Sequence, residues 1–344
     1  MIYKKILALS IILIIFACQL TQIEAVPEVS AKAYLVMDAQ SGRILKSHNA
    51  NLKLPIASTT KIMTAILAIE TIEDLNQRIE VPPECCGIEG SSIYLKPKQM
   101  VSVIDLLYGT MLRSGNDAAA VLAKFAGRND PEGFISMMNR KAKELGALNT
   151  NFANPNGLHD DNHYSTAYDL ALISAYAMKN EIFREIASSE KYKAESMNNI
   201  FYNKNKVVYQ YKYGTGIKIG YTKAAGRCLV ASAEKEGTQI IAVLLNDNTW
   251  FNDSYRIFDW AFENYKTYSI AERGQFVRYT KDKTPVFIDD GFRSALTDKE
   301  IKQIRFEALI EPEHMSSDSE SKICGSYNIY LGKNKLHTGR LITQ

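Results

Sequence analysis

Ser58 and Lys61 stand one helical turn apart in the run Pro55-Ile56-Ala57-Ser58-Thr59-Thr60-Lys61-Ile62-Met63-Thr64-Ala65. A serine hydroxyl is a weak nucleophile until a neighbouring group takes its proton. On a helix, residues three apart share a face, so this spacing offers the Ser58 hydroxyl an amine as its base. If Ser58 opens the helix, the N–H groups at that end also favour a developing negative charge. A nucleophile, a candidate base and part of an oxyanion site then fit in one short stretch. Alone, the same pattern equally describes a capped helix with a solvated lysine.

Two later triplets change that balance. Ser114-Gly115-Asn116 lies between two apolar segments, and Lys218-Ile219-Gly220 lies in what reads as a strand. Ser-Gly-Asn is by itself an ordinary turn. The order S-x-x-K, S-x-N and a K-[TS]-G-like triplet is the signature of penicillin-recognising serine enzymes. Further matching stretches are Gly90-Ser91-Ser92-Ile93-Tyr94-Leu95, Leu106-Leu107-Tyr108-Gly109, Asn154-Pro155-Asn156-Gly157-Leu158-His159 and Ala225-Gly226-Arg227-Cys228-Leu229-Val230. On these residues the chain resembles the low-molecular-mass penicillin-binding proteins that are serine-type D-alanyl-D-alanine carboxypeptidases. The resemblance runs from Ala33 to Phe262 and continues more weakly through the C-terminal tail.

That resemblance implies a set of roles. Ser58 would attack the penultimate carbonyl of a peptidoglycan stem peptide ending in D-Ala-D-Ala, release D-alanine and leave an acyl-enzyme for water to hydrolyse. Lys61 is taken as the base, although this superfamily's chemistry leaves more than one candidate open. To act so it must be neutral part of the time, helped by burial and by Lys218 as a second cation. Ser114 would relay a proton to the leaving amine, and Asn116 would hydrogen-bond the substrate amide. Lys218 would help recognise the terminal carboxylate, and Gly220 would let the strand approach the substrate closely. The N–H of Tyr221 would join that of Ser58 in an oxyanion hole, each donor being worth about 3 kcal/mol. β-Lactam antibiotics are the implied acylating inhibitors, and no cofactor is implied.

Ile219 departs from the family pattern, which has threonine or serine there. A hydroxyl at this place would donate to the substrate carboxylate, and losing such a bond to a charged group costs roughly 1.5–3 kcal/mol. The expectation is weakened binding of substrate and penicillin. A second reading is therefore a weakly active or non-catalytic member that binds peptidoglycan. A third, a β-lactamase of the same fold, needs a base to activate the deacylating water, and no glutamate stands in a suitable loop motif. His159 and His163 have the spacing of a helical metal pair. They fall in a loop marked by Asn154-Pro155-Asn156-Gly157, with no third ligand in view, so no metal is expected.

The elements that must hold these residues read as follows. Ala33–Met37 and Arg43–Leu45 form a hairpin around Gln40-Ser41-Gly42. Thr59 to Ile72 is an apolar helix, and a buried helix would give Ser58 a rigid mount. Val103–Leu112 and Ala118–Phe125 are helices flanking the Ser-Gly-Asn turn, followed by helices at Glu132–Leu145 and Asp169–Met178. Thr215–Thr222, Gly226–Ala233 and Gln239–Leu245 are strands, and Ser254–Tyr265 is an amphipathic helix. Strands at both ends with helices between predict an α+β fold: one antiparallel sheet backed by helices. This agrees with the serine β-lactamase/transpeptidase fold that the resemblance implies. Residues 267–344 read as a small β-rich domain, with strand-like runs at Gln275–Ile288 and Tyr327–Ile342 and a polar loop at Glu313–Lys322. The catalytic domain is expected over residues 26–266. In the family such a β-rich domain is usually followed by an amphipathic membrane-binding helix, which the sequence lacks through Gln344.

Lys4 and Lys5 followed by the apolar run Ile6–Ala17 read as a secretory signal over residues 1–25, with cleavage after Ile23-Glu24-Ala25. The run is short for a spanning helix. Ile15-Phe16-Ala17-Cys18 offers lipidation at Cys18 as the other reading, which would hold the protein at the membrane surface. Either way the protein is extracytoplasmic. The 344 residues carry 41 basic and 38 acidic side chains, a net charge of +3 that argues neither for nucleic acid nor for strong attraction to a membrane surface. Cys85, Cys86, Cys228 and Cys324 fit no zinc spacing and are expected as free thiols.

Overall fold

The computed structural model describes residues 27–128, 130–310 and 322–343. The predicted signal, Cys18 and most of the polar loop expected from Glu313 lie outside those residues.

A five-stranded antiparallel sheet forms the frame. Its strands are β1 (Ala33–Asp38), β2 (Ile44–His48), β7 (Gly214–Thr222), β8 (Gly226–Lys235) and β9 (Thr238–Leu245), in the order β2-β1-β9-β8-β7. Alternating side chains point to opposite faces of a strand, and here both faces are apolar. Leu35, Met37, Val230, Ile241 and Val243 face the larger core, whereas Val36, Leu229, Ala231, Ile240 and Ala242 face the smaller one. Two-sided burial explains why these strands read as continuous apolar runs.

The larger core is covered by α1 (Lys61–Thr71), α2 (Val103–Leu112), α3 (Asn116–Ala126), α4 (Pro131–Glu144), α5 (Ala167–Ala177) and α6 (Glu181–Ser188). α1 is buried almost all round, as an apolar helix without a polar face must be. Side-chain caps start three of the others. Ser102 accepts from the Asp105 N–H (3.3 Å), Thr166 from Asp169 (3.0 Å) and Asn180 from Phe183 (3.0 Å). The short α7 (Val207–Gln210) leads into β7, and the amphipathic α8 (Trp250–Asn264) lays Ile257, Phe258, Trp260 and Ala261 on the smaller core. Sequence periodicity anticipated α2–α5 and α8 but not α6. Two short hairpins, β3 (Arg78–Glu80) with β4 (Met100–Ser102) and β5 (Lys191–Ala194) with β6 (Asn199–Tyr202), were also not anticipated. Strands this short carry too few alternations to register in a sequence.

From residue 266 the chain is β-rich. β10 (Lys266–Ala271) pairs with β13 (Phe292–Leu296). β11 (Phe276–Tyr279), β12 (Pro285–Ile288), β14 (Ile304–Ile310), β15 (Lys322–Leu331) and β16 (Asn334–Thr343) form a second antiparallel sheet, in the order β11-β12-β16-β15-β14. Its core gathers Val286, Ile288, Tyr327, Ile329 and Leu341. The two parts are joined through β1. The buried Asp38 carboxylate accepts from the Ala295 N–H (2.9 Å), while Arg43 donates to the Ala295 carbonyl (2.6 Å) and pairs with Glu300. Among the described residues all four cysteines are free thiols.

Candidate active site

Ser58 lies in a single 3-10 turn, Ala57–Thr60, and α1 begins only at Lys61. A regular helix was expected from Thr59. The hydroxyls of Thr59 and Thr60 instead donate back to the carbonyls of Ile56 (2.6 Å) and Ala57 (2.8 Å), tightening the turn. Ala57 adopts a left-handed φ of 48°. The loop through Asn154–Gly157 packs directly on this turn, where a Cβ on Gly157 would fall on the Ala57 carbonyl.

His163 fastens the two together. Its Nδ1 accepts from the Ala153 N–H (3.0 Å) and its Nε2 meets the Thr60 hydroxyl (2.7 Å). With Nδ1 accepting, the proton belongs on Nε2. Burial holds the ring's pKa down at about 4, so it stays neutral. His159, by contrast, is half exposed beside Asp161. Among the described residues no cluster of three or more His, Cys, Asp or Glu could hold a metal.

Lys61 is fully buried, and its Nζ reaches three acceptors: the Ser58 hydroxyl at 2.9 Å, Asn116 Oδ1 at 2.7 Å and the Asn156 carbonyl at 2.6 Å. Burial drives its pKa well below the ordinary lysine value. The Lys218 charge adds to that and Asp117 opposes it. Lys218 is also buried, and desolvation followed by repulsion from Lys204 brings its pKa to about 7. Two lysines held toward neutrality beside a serine are what base-assisted nucleophilic chemistry requires.

The Ser-Gly-Asn turn approaches from α3. Ser114 is buried with a left-handed φ of 62°, and Asn116 is the first helical residue. The Asn116 N–H donates to Ser91 (2.7 Å) and its side-chain amide donates to the Glu89 carbonyl, so Asn116 joins Lys61 to the loop after Glu89. Expected as a substrate contact, it stands in the structure as a strut. Asp117 secures the same loop, accepting from Ser92 Oγ (2.6 Å) and from the N–H groups of Ile93 (3.1 Å) and Leu95 (3.1 Å).

β7 closes the other side as a terminal strand of its sheet. A Cβ on Gly220 would lie 2.7 Å from the Ser58 nitrogen and 3.0 Å from that of Thr59, so only glycine lets the strand come this near. A cavity of about 600 Å³ opens here, lined by Ser58, Ser114, Ile219, Gly220 and Tyr221. Lys61, Asn116 and Lys218 are buried behind this surface, and Lys218 Nζ donates to the Ile219 carbonyl (3.1 Å).

Three lining residues went unrecognised in the sequence: Arg113, Lys204 and Trp250. So did the Asn156 carbonyl, because a main-chain acceptor leaves no trace in residue type. Its only signal was the Asn-Pro-Asn-Gly turn that presents it.

The D-alanyl-D-alanine carboxypeptidase family matches residues 20–249. The D-alanyl-D-alanine carboxypeptidase DacF of Bacillus subtilis is 34% identical, over 74% of this chain and 67% of that protein. DacC of Escherichia coli, of the same description, is 32% identical over 95% of this chain and 86% of its own length. The crystal structure of penicillin-binding protein 5 from Haemophilus influenzae superposes with a TM-score of 0.79 at 25% identity, over 92% of this chain and 97% of that one.

Proposed function

The chain belongs to the D-alanyl-D-alanine carboxypeptidase family, and from that membership we infer that it removes the terminal D-alanine from peptidoglycan stem peptides ending in D-Ala-D-Ala. It is a serine-type hydrolase of cell-wall maturation and a penicillin-binding protein. The observation that carries the mechanism is the buried Lys61 amine 2.9 Å from the Ser58 hydroxyl.

The substrate would lie along the open edge of β7, as extended peptides do on exposed strands. The Ser58 proton passes to neutral Lys61 Nζ as Oγ bonds to the penultimate carbonyl carbon. The carbonyl oxygen becomes an oxyanion held by the N–H groups of Ser58 and Tyr221. As the tetrahedral intermediate collapses, the C–N bond breaks, and Ser114 delivers its proton to the departing D-alanine nitrogen while taking one from protonated Lys61, which returns to the neutral form. Water then cleaves the Ser58 ester, with Lys61 again available to take a proton. β-Lactams acylate the same hydroxyl. Asn116 and Lys218 keep Lys61 placed and discharged, Asn116 offers a remaining lone pair to the substrate amide, and Lys218 contributes positive field toward the terminal carboxylate.

The same reading places the enzyme outside the cytoplasm, exported by its N-terminal signal, with membrane-surface attachment through Cys18 as the route by which it would be retained. No described helix is long and apolar enough to cross a membrane.

The test is D-alanine release from a diacetylated Lys-D-Ala-D-Ala peptide by protein lacking residues 1–25, beside its Ser58→Ala variant. Release that vanishes with Ser58→Ala is expected. Folded wild-type protein that releases nothing and takes no penicillin would remove this reading.

A further inference from the structure

The terminal carboxylate of the substrate needs a seat, and Ile219 has no hydroxyl to give it. Ile219 lines the cavity with an apolar side chain, and Lys218 turns its amine to the main chain behind it. The same cavity holds two other cations. Arg113 ends α2 immediately before Ser114, and its Nη1 is steadied by the Tyr202 carbonyl at 3.0 Å. Lys204 is tied to the same place, since its N–H donates to the Leu112 carbonyl (3.1 Å) and its Nζ donates to Ser91 Oγ (3.2 Å).

Nothing acidic answers them. No aspartate or glutamate lines the cavity, and among the described residues neither Arg113 nor Lys204 belongs to an ion pair. Asp117, the nearest carboxylate in sequence, is spent on Ser92 and the main chain of the neighbouring loop. Arg113 and Lys204 line one cavity; burial first and then Arg113 lowers the pKa of Lys204, and burial first and then Lys204 lowers that of Lys218. Unmatched cations in a concave, partly apolar site concentrate anions there, and a guanidinium suits a carboxylate in particular.

Direction follows from β7. Gly220 abuts the Ser58 nitrogen, so the scissile carbonyl sits at that level of the strand. Tyr221 lies toward one end and Lys218, with Lys204 near it, toward the other. The acyl part of the substrate then runs toward Tyr221, and the departing residue points to the cations.

We propose that Arg113 and Lys204 together form the seat for the substrate's terminal carboxylate, taking the place of the hydroxyl that Ile219 lacks. This rests on the D,D-peptidase reading and specifies how that site recognises a free C-terminus. Recognition is then by net charge and a guanidinium fork from the α2 end of the site, with no side-chain donor from position 219.

The test compares diacetyl-Lys-D-Ala-D-Ala with its C-terminal amide, using wild type, Arg113→Met, Lys204→Met and the double variant. Benzylpenicillin and its methyl ester, followed by mass of the acyl-enzyme, give the same comparison without deacylation. For the free acid, kcat/KM of the double variant should fall roughly ten- to a hundredfold, mainly through KM, as expected for lost charge-assisted hydrogen bonds. At a pH above the acid limb, where Lys61 is neutral in all four proteins, the amide should be processed alike by them, so that the preference for acid over amide collapses. Arg113→Lys should retain part of it. An unchanged acid preference in the double variant overturns the proposal. Equal losses for acid and amide also overturn it, because they mark a structural role. A wild type inert to both peptides and both penicillins instead overturns the peptidase reading, and the proposal falls with it.

Discussion

At the scale of single residues, the site depends on charges placed where they are costly. Lys61 has no room for water, and its hydrogen bonds leave its nitrogen aimed at the Ser58 hydroxyl. Its low pKa comes first from burial and then from Lys218. Lowering a lysine pKa extends the neutral form to lower pH, so acylation should rise with pH through the Lys61 titration. Replacing Lys218 with methionine removes the neighbouring charge and lets the Lys61 pKa climb. The acid limb of the kcat/KM profile should therefore move to higher pH, and a limb that stays in place would show that Lys218 does not tune Lys61. Position 219 makes the second residue-scale test. Ile219→Thr restores a hydroxyl at the cavity wall and should raise kcat/KM by up to ten- to a hundredfold. If it leaves peptide turnover unchanged, the missing hydroxyl is not what limits this enzyme.

At the scale of elements, three separate pieces of chain meet at one serine: a 3-10 turn, the start of α3 and the edge strand β7. Their approach is set by residues with little or no side chain. Gly220→Ala would put a methyl group 2.7 Å from the Ser58 nitrogen, in the place an oxyanion would occupy. Displacing one oxyanion donor costs on the order of 10²–10³ in kcat. The expected outcome is a loss of acylation of that size in the folded variant together with a lowered unfolding midpoint, since the clash is with backbone, read by penicillin labelling beside urea denaturation. Labelling at the wild-type rate would show that β7 does not bound the reacting centre. Two of these turns carry strain, with left-handed φ at Ala57 in one and at Ser114 in the other. Such conformations cost about 1–3 kcal/mol each and persist because the Asn154–Gly157 loop, His163 and Asp117 hold the turns from outside.

At the scale of the whole molecule, the β-rich part after residue 266 is fastened to the end of β1, the turn after it and the start of β9. Asp38, fully buried, takes hydrogen bonds from Ala295 and Ser41, while Arg43 pairs with Glu300. Asp38→Ala would leave the Ala295 N–H buried without that acceptor, a loss of roughly 1–3 kcal/mol. Chemical denaturation should report that loss while penicillin acylation of the folded variant stays at the wild-type rate. Full stability in the variant would mean that this contact does not join the two parts, and slowed acylation would mean that the second part acts on the site across the sheet. Since β9 and β8 lie between the Asp38 strand β1 and β7, the unaltered rate is the physical expectation.

Ser58, Lys61, Ser114, Asn116, Lys218 and Gly220 stood out as candidates in the sequence through the order of three short patterns and the family that order resembles, and each pattern also has a local physical sense. A helical turn brings Lys61 back to Ser58, a tight turn presents Ser114, and a strand without a side chain at Gly220 can approach another chain. The sheet and most helices were legible for the same kind of reason, through apolar periodicity. Tertiary structure decided everything that depends on residues meeting across the chain. The Asn156 carbonyl accepts from Lys61, His163 clamps Thr60, and backbone and side-chain bonds to Leu112, Arg113 and Ser91 bring the Tyr202–Lys204 segment to the end of α2. It also decided which lysines lose their charge. Desolvation belongs to a place in the fold and not to a residue type, and Lys61 and Lys218 have nothing in their sequence neighbourhood that makes them buried lysines rather than solvated ones.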